Sequence, residues 1–206
     1  ERLAFAHDAI WESVRAQIND RARQAMHLQF ALTLLDARPL ASEAEAVFRI
    51  ASQILQADAC QLESRQRLAF IELLLEAAGQ AKASAAAPTA LRYLRYARHL
   101  LEAVQPANLK LARSVALLYT RCLILNADYV AAEHDIQRLL SQASAPLERA
   151  ELYKLKCEIC SLRGDYAGAI NTAADGLASL GVNLPTQPTF EQAQQAWLEV
   201  QQALEQ

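Results

Sequence analysis

The chain has 206 residues, 53% of them hydrophobic, enough to bury a substantial core, and its formal net charge at pH 7 is −3. That balance offers no global basic field to nucleic acid or an anionic membrane, and no apolar run reaches the roughly 18–20 residues needed to span a bilayer. Glycine and proline are sparse, aromatics make up 6%, and Ala, Leu, Gln, Glu and Arg dominate, which predicts an all-α protein and excludes a β-rich one.

Helix punctuation divides the sequence into about ten segments. The first, Leu3–Ile18, places Phe5, Ile10, Trp11, Val14 and Ile18 at helical spacing. Asp20 is expected to cap a second, whose stripe of Ala25, Leu28, Leu32 and Leu35 runs until Arg38-Pro39 stops it. Ser42 and Glu45 form a Ser-x-x-Glu capping box for a third, buried through Val47, Ile50, Ile54 and Leu55. Glu63–Ala81 follows, built on Leu68, Ile71, Leu74 and Leu75. Pro88 fits the first turn of a fifth, which carries Leu91, Leu94 and Leu101 towards Pro106. Asn108–Leu125, Asp128–Ala143, Leu147–Arg163 and Asp165–Leu180 continue the series. A linker from Gly181 to Pro188 leads to a last helix, opened by a second box, Thr189 with Gln192.

Residues 163–170 read RGDYAGAI and contain the adhesion tripeptide Arg-Gly-Asp. The same letters have a structural reading. A helix ending at Arg163 needs a left-handed residue next, which glycine supplies without a Cβ penalty, and Asp165 then caps the following helix. NADYVAAE at 126–133 repeats the Asp-Tyr-x-x-Ala but not the tripeptide, with Asn126 expected in the left-handed position and Asp128 as the cap. A helix–turn–helix joint explains both stretches.

Overlaying the helix pairs gives a register. Tyr129 and Tyr166 open second helices, with Ala132 and Ala169 three residues on and Thr120 and Cys157 nine before. Moving back 42 residues from Tyr129 aligns Ala87, Ala90 and Ala78, and ten residues after the aligned positions stand Ala97, Leu139 and Gly176. Small residues at these offsets let paired helices approach closely. This pattern resembles the tetratricopeptide repeat over about Glu63–Gly181, as three degenerate units without the usual first-helix tryptophan. The resemblance implies a right-handed superhelix of antiparallel helix pairs, preceded by an atypical hairpin over 20–62 and followed by a linker and capping helix over 182–206.

FAHDAIWESV at 5–14 is similar to the segment that closes the ATPase module of large bacterial STAND-type signalling proteins. In these a tetratricopeptide-like helical region joins the ATPase to kinase, GAF or histidine-kinase modules. AKASAAAPTALRYLRYA at 81–97 and GLASLGVNLPTQPTFEQAQ at 176–194 resemble stretches of that region in the same order. Residues 1–19 would then be a remnant of the preceding module, and a chain opening on Glu1 rather than Met reads as an excised piece. The resemblance implies a signalling context, and no phosphate-binding Gly-x-x-x-x-Gly-Lys-Ser/Thr loop or His-Arg-Asp triplet brings catalysis into this sequence.

Cys157-Glu-Ile-Cys160 has the spacing of half a zinc site or a redox pair, yet it lies within a helical pattern and has no second ligand pair nearby. Buried thiols packing on the partner helix are the expected role, with no metal or other cofactor. His7-Asp8 is read as structural. The number and scatter of the four cysteines do not suggest a disulfide-rich secreted scaffold, and a reducing cytoplasm is the expected location.

The reading is a non-enzymatic scaffold for protein or peptide partners, or for adjoining domains of a parent protein, with an effector-sensing superhelix as the alternative. In tetratricopeptide-like arrays the first helices line the inner curve. That assigns Arg67, Glu72, Arg113, Tyr119, Lys154 and Glu158 to the partner surface, and Arg92, Arg95 and Arg98, every third residue of a second helix, to the outer face.

Overall fold

Several helices begin where a side chain takes up backbone N–H groups that have no partner within the helix, and two others, after Ala86 and Ala145, begin without a side-chain cap and with proline in the first turn. The computed structural model describes residues 16–37, 44–104 and 108–204, together with Ser13. Helix α1 (Asp20–Asp36) starts after Asn19, whose Oδ1 accepts the Ala22 N–H at 2.8 Å. The expected cap, Asp20, is instead the first helical residue, because the extended backbone of a cap falls on Asn19 (φ −65°, ψ 157°). There follow α2 (Ala44–Ile54), α3 (Ser64–Ala83), α4 (Ala87–Glu102), α5 (Leu109–Leu125), α6 (Tyr129–Gln142), α7 (Pro146–Leu162), α8 (Tyr166–Ala178) and α9 (Phe190–Leu204). A short 3-10 turn, Ala59–Gln61, lies between α2 and α3, and no strand occurs among the described residues. The protein is all-α. The expected Leu3–Ile18 helix lies almost wholly outside the described residues, as do the FAHD motif, His7, the Arg38-Pro39 stop, Ser42 and Pro106.

Local chemistry sets the remaining starts. Glu63 and Gln66 cap α3 reciprocally, the Glu63 N–H donating to Gln66 Oε1 at 3.1 Å. Asn108, Asp128 and Asp165 accept the N–H groups of Leu111, Ala131 and Gly168 at 3.1, 3.3 and 2.9 Å. Thr189 and Gln192 form the expected box at the start of α9.

The joints Ser84-Ala85-Ala86, Asn126-Ala127-Asp128 and Arg163-Gly164-Asp165 share one backbone solution. Their middle residues are left-handed, with φ of +56°, +57° and +76°. At the first and third, two N–H groups turn back onto the last carbonyls: Ala85 to Lys82 and Ala86 to Ala81, then Gly164 to Ser161 and Asp165 to Cys160, at 2.8–3.1 Å. The sequence reading put Asn126 in the left-handed position. Asn126 is the last αR-side residue (φ −90°), and Ala127 takes the positive φ. An alanine there crowds its Cβ against the next carbonyl, at a cost of roughly 1–2 kcal/mol. Ala85→Gly and Ala127→Gly are therefore each expected to raise stability by about 0.5–1 kcal/mol, after the extra freedom of glycine in the unfolded chain is subtracted. Thermal unfolding checks this: a lower melting temperature in both variants would contradict the assigned geometry.

The chain divides into two compact units, Glu1–Ala127 and Asp128–Gln206, so the division falls inside the stretch expected to form one array. In the first, α1 packs on α2, α2 on α3, α3 on α4, and α5 on both α3 and α4. Val47, Ile50 and Ile54 of α2 join Phe70, Ile71, Leu73 and Leu74 of α3 and Leu91, Leu94 and Leu100 of α4 in the core. Each such side chain contributes about 1.5–3 kcal/mol on burial. Alanines fill the closest crossings: Ala77, Ala78 and Ala81 on α3, and Ala90 and Ala97 on α4, are all buried. The Phe48 and Tyr93 rings stack at 6.3 Å, and His27 Nδ1 lies 2.7 Å from Gln53 Oε1, tying α1 to α2.

In the second unit α6 packs on α7 and α7 on α8. Ile136, Leu152, Leu155 and Ile159 are its large buried side chains. Ala90, Ala132 and Ala169, the aligned small positions, are all buried, as the register predicts. Leu139, where the other copies have alanine and glycine, is only half-buried. Every described residue from Gly181 through α9 is exposed.

Candidate functional site

The predicted partner residues divide between the two units, Arg67, Glu72, Arg113 and Tyr119 in the first and Lys154 and Glu158 in the second. Arg67 is occupied structurally: Nη1 donates to the Ala103 carbonyl at 2.9 Å, and Nη2 to those of Ala59 and Leu62 at 3.1 and 3.2 Å. Glu72 is exposed on α3, while Arg113 and Tyr119 are half-buried on α5. Lys154 and Glu158 are exposed one turn apart on α7, in the other unit. The expected separation of inner and outer sets also fails at one contact, because the Arg98 guanidinium sits 4.5 Å above the Tyr119 ring.

Helical geometry explains how the arginine row splits. A step of three residues turns about 300°, so the row drifts by about 60° per arginine. Arg92 and Arg95 stay exposed, and Arg98 swings onto α5. His99, two turns on from Arg92, takes the place that Arg98 leaves. Arg92, Arg95, Tyr96 and His99, with Leu55 just beyond α2, line an open depression of about 360 Å³. Among the described residues neither Arg92 nor Arg95 is ion-paired. His99 stands beside Glu102, with Nδ1 3.6 Å from Oε2.

Tyr96 forms the firm side of this depression. Its hydroxyl donates to the Ala57 carbonyl at 3.0 Å. Burial, then the nearby Asp58 charge and Cys60, push the phenol above its ordinary value, so it keeps the proton it donates. Asp58 caps the 3-10 turn by accepting the Cys60 N–H at 2.9 Å, which holds its carboxyl below the usual range. The same carboxylate raises the Cys60 thiol and leaves it a poor nucleophile. Spacing on α4 alone points to Arg92, Arg95 and, at i+7, His99. Leu55 comes from the turn just after α2 and has no local signal on α4.

Two fork-shaped guanidiniums one turn apart beside an apolar patch suit carboxylates on an extended segment. Other candidate chemistry is absorbed by structure. Cys157 Sγ lies 3.4 Å from the Ala169 carbonyl, linking α7 to α8, and both cysteines of the Cys-x-x-Cys are half-buried rather than fully buried. Within the Arg-Gly-Asp tripeptide, Arg163 pairs with Glu133 at 2.7 Å, Gly164 makes the turn and Asp165 caps α8. No described helix is long and apolar enough to cross a membrane. No family model, curated protein or solved structure matches the chain.

Proposed function

We propose that this chain is a non-catalytic helical-repeat scaffold for protein–protein or interdomain contacts in a bacterial signalling ATPase or kinase of the cytoplasm, its helix pairs winding into a right-handed superhelix. The observation that carries the scaffold reading is the recurrence of one helix joint with a small residue buried at the same register, Ala90, Ala132 and Ala169. Similar joints stack similar hairpins, and stacked hairpins present extended surface rather than one deep cleft. The signalling context rests on the sequence resemblance. On the scaffold, the α4 depression is the surface best suited to a partner, and its chemistry selects an acidic segment.

Exposed ion pairs contribute only about 0.2–1 kcal/mol each, so binding there combines several modest contacts and weakens with salt. Arg92→Glu with Arg95→Glu is expected to weaken binding of a glutamate-rich probe peptide roughly tenfold or more, through lost attraction and added repulsion. Reversing Lys154 and Glu158 together should leave it unchanged. Isothermal titration at two salt concentrations reads both. Equal affinity for the double arginine variant and the unaltered chain would remove the α4 surface from the proposal.

A further inference from the structure

Helix α8 has two faces. Ala169, Thr172 and Gly176 are buried, and Tyr153 and Cys157 of α7 lie against this side. About a quarter-turn round the helix runs a second stripe, Tyr166, Ile170, Ala173 and Leu177, at i, i+4, i+7 and i+11. Tyr166 is 69% exposed and Ile170 56%, and the other two are half-exposed.

The same register positions in the two earlier second helices hold no exposed residue. On α6 they are Tyr129, Glu133, Ile136 and Leu140. Arg163, at the end of α7, lies 5.4 Å over the Tyr129 ring and pairs with Glu133, while Arg149 of α7 donates to the Leu140 carbonyl at 3.2 Å. Ile136 is buried. On α4 they are Ala87, Leu91, Leu94 and Arg98. The first three are buried, and Arg98 lies over Tyr119 of α5. In both cases residues in or at the end of the helix that follows in sequence reach the stripe: Tyr119 of α5, and Arg149 and Arg163 of α7. After α8 that helix is α9.

Helix α9 has the matching surface. Phe190, Ala193, Trp197, Val200 and Leu204 recur at alternating intervals of three and four, which places them on one face, with Glu191 and Glu199 turned away from it. Phe190 is 82% exposed and Trp197 63%. Trp197, Val200 and Leu204 have the spacing of Leu152, Leu155 and Ile159, the buried face of α7. The α8 stripe is about 16 Å long and the α9 stripe about 21 Å. The connection from Gly181 to Thr189 reaches up to about 30 Å, whereas packed helix axes lie about 8–10 Å apart. Residues flanking both stripes are alanine or glutamine, so no charge opposes contact.

We propose that the exposed α8 stripe is the docking surface for α9 of the same chain. The helix returns antiparallel, with Phe190 and Ala193 against Leu177, Trp197 against Ala173 and Ile170, and Val200 and Leu204 against Tyr166. In the structure α9 is exposed throughout, and Tyr166 and Ile170 of the α8 stripe are exposed as well. Closure removes both apolar faces from water and ends the series of hairpins on the polar side of α9. This inference does not rest on the α4 surface.

The test uses the full chain with Trp11→Phe, which leaves Trp197 as the sole tryptophan. Its emission is expected at shorter wavelength, and its quenching by acrylamide several-fold weaker, than in the same chain carrying Ile170→Glu. Val200→Glu should expose Trp197 equally. Ile170 and Val200 are both exposed in the structure, so circular dichroism should show helix content retained in both variants. Shielding in a monomer by sedimentation, lost in both variants, supports the proposal. Solvent-exposed Trp197 in the parent chain overturns it. So does shielding that persists with Ile170→Glu, or shielding that appears only as the chain dimerises, since α9 would then cover another surface or a second copy.

Discussion

Arg67→Met is expected to lower the unfolding free energy by about 2–4 kcal/mol, although Arg67 looks from the sequence like an ordinary surface charge. Its guanidinium bridges three backbone carbonyls from two parts of the chain: Ala59 and Leu62 at the 3-10 turn, and Ala103 just past α4. A charged donor to a backbone carbonyl contributes roughly 1.5–3 kcal/mol, and removing it leaves part-buried acceptors unsatisfied. Partial exposure of the site keeps the sum well below three full bonds. Lysine retains the charge but has one point donor in place of a fork, so Arg67→Lys should recover less than half of the loss. Urea denaturation of the three proteins decides this. If Arg67→Met melts with the unaltered chain, the three bonds do not hold the turn against α3 and α4.

Glycine-to-alanine changes on two helices should act in opposite directions. Both Gly79 and Gly176 are inside helices, where alanine is ordinarily favoured by about 1 kcal/mol. At Gly79 a Cβ would meet no atom within 4 Å, so Gly79→Ala should show that gain. At Gly176 the added Cβ would stand 2.8 Å from Tyr153 Cβ, an atom fixed to the α7 backbone that cannot swing aside. Helices α7 and α8 would have to separate. Gly176→Leu is expected to cost about 1–3 kcal/mol or more, and Gly176→Ala to lose the helical gain or reverse it. Calorimetric melting temperatures of the three variants give the signs. Stabilisation by Gly176→Ala would mean that the crossing is looser than the structure shows, and that the aligned small residue there is incidental.

These expectations differ in how far the sequence foretells them. The caps at Asp128, Asp165 and Thr189 are legible because a cap acts within three residues of itself. The positions of Ala90, Ala132 and Ala169 are legible because close packing of paired helices admits only small side chains there. Asn126 misleads because its left-handed tolerance is intrinsic, while the choice of which residue takes the turn depends on where α5 ends. Arg98 misleads because a three-residue repeat in sequence is a rotating row on a helix, and only the neighbouring α5 shows where the row meets Tyr119.

By itself, then, the sequence determined an all-α chain of capped helical hairpins with small residues at a recurring register. Those features depend on backbone hydrogen bonds and side-chain volume within a few residues. Tertiary structure alone decided that Arg67 reaches the Ala103 carbonyl, 36 residues away, that Leu55 and Tyr96 complete the α4 depression, and that the α8 and α9 stripes are both exposed. Each of these depends on which surfaces meet after the helices have formed, and an apolar stripe in sequence reads the same whether its partner has closed on it or not.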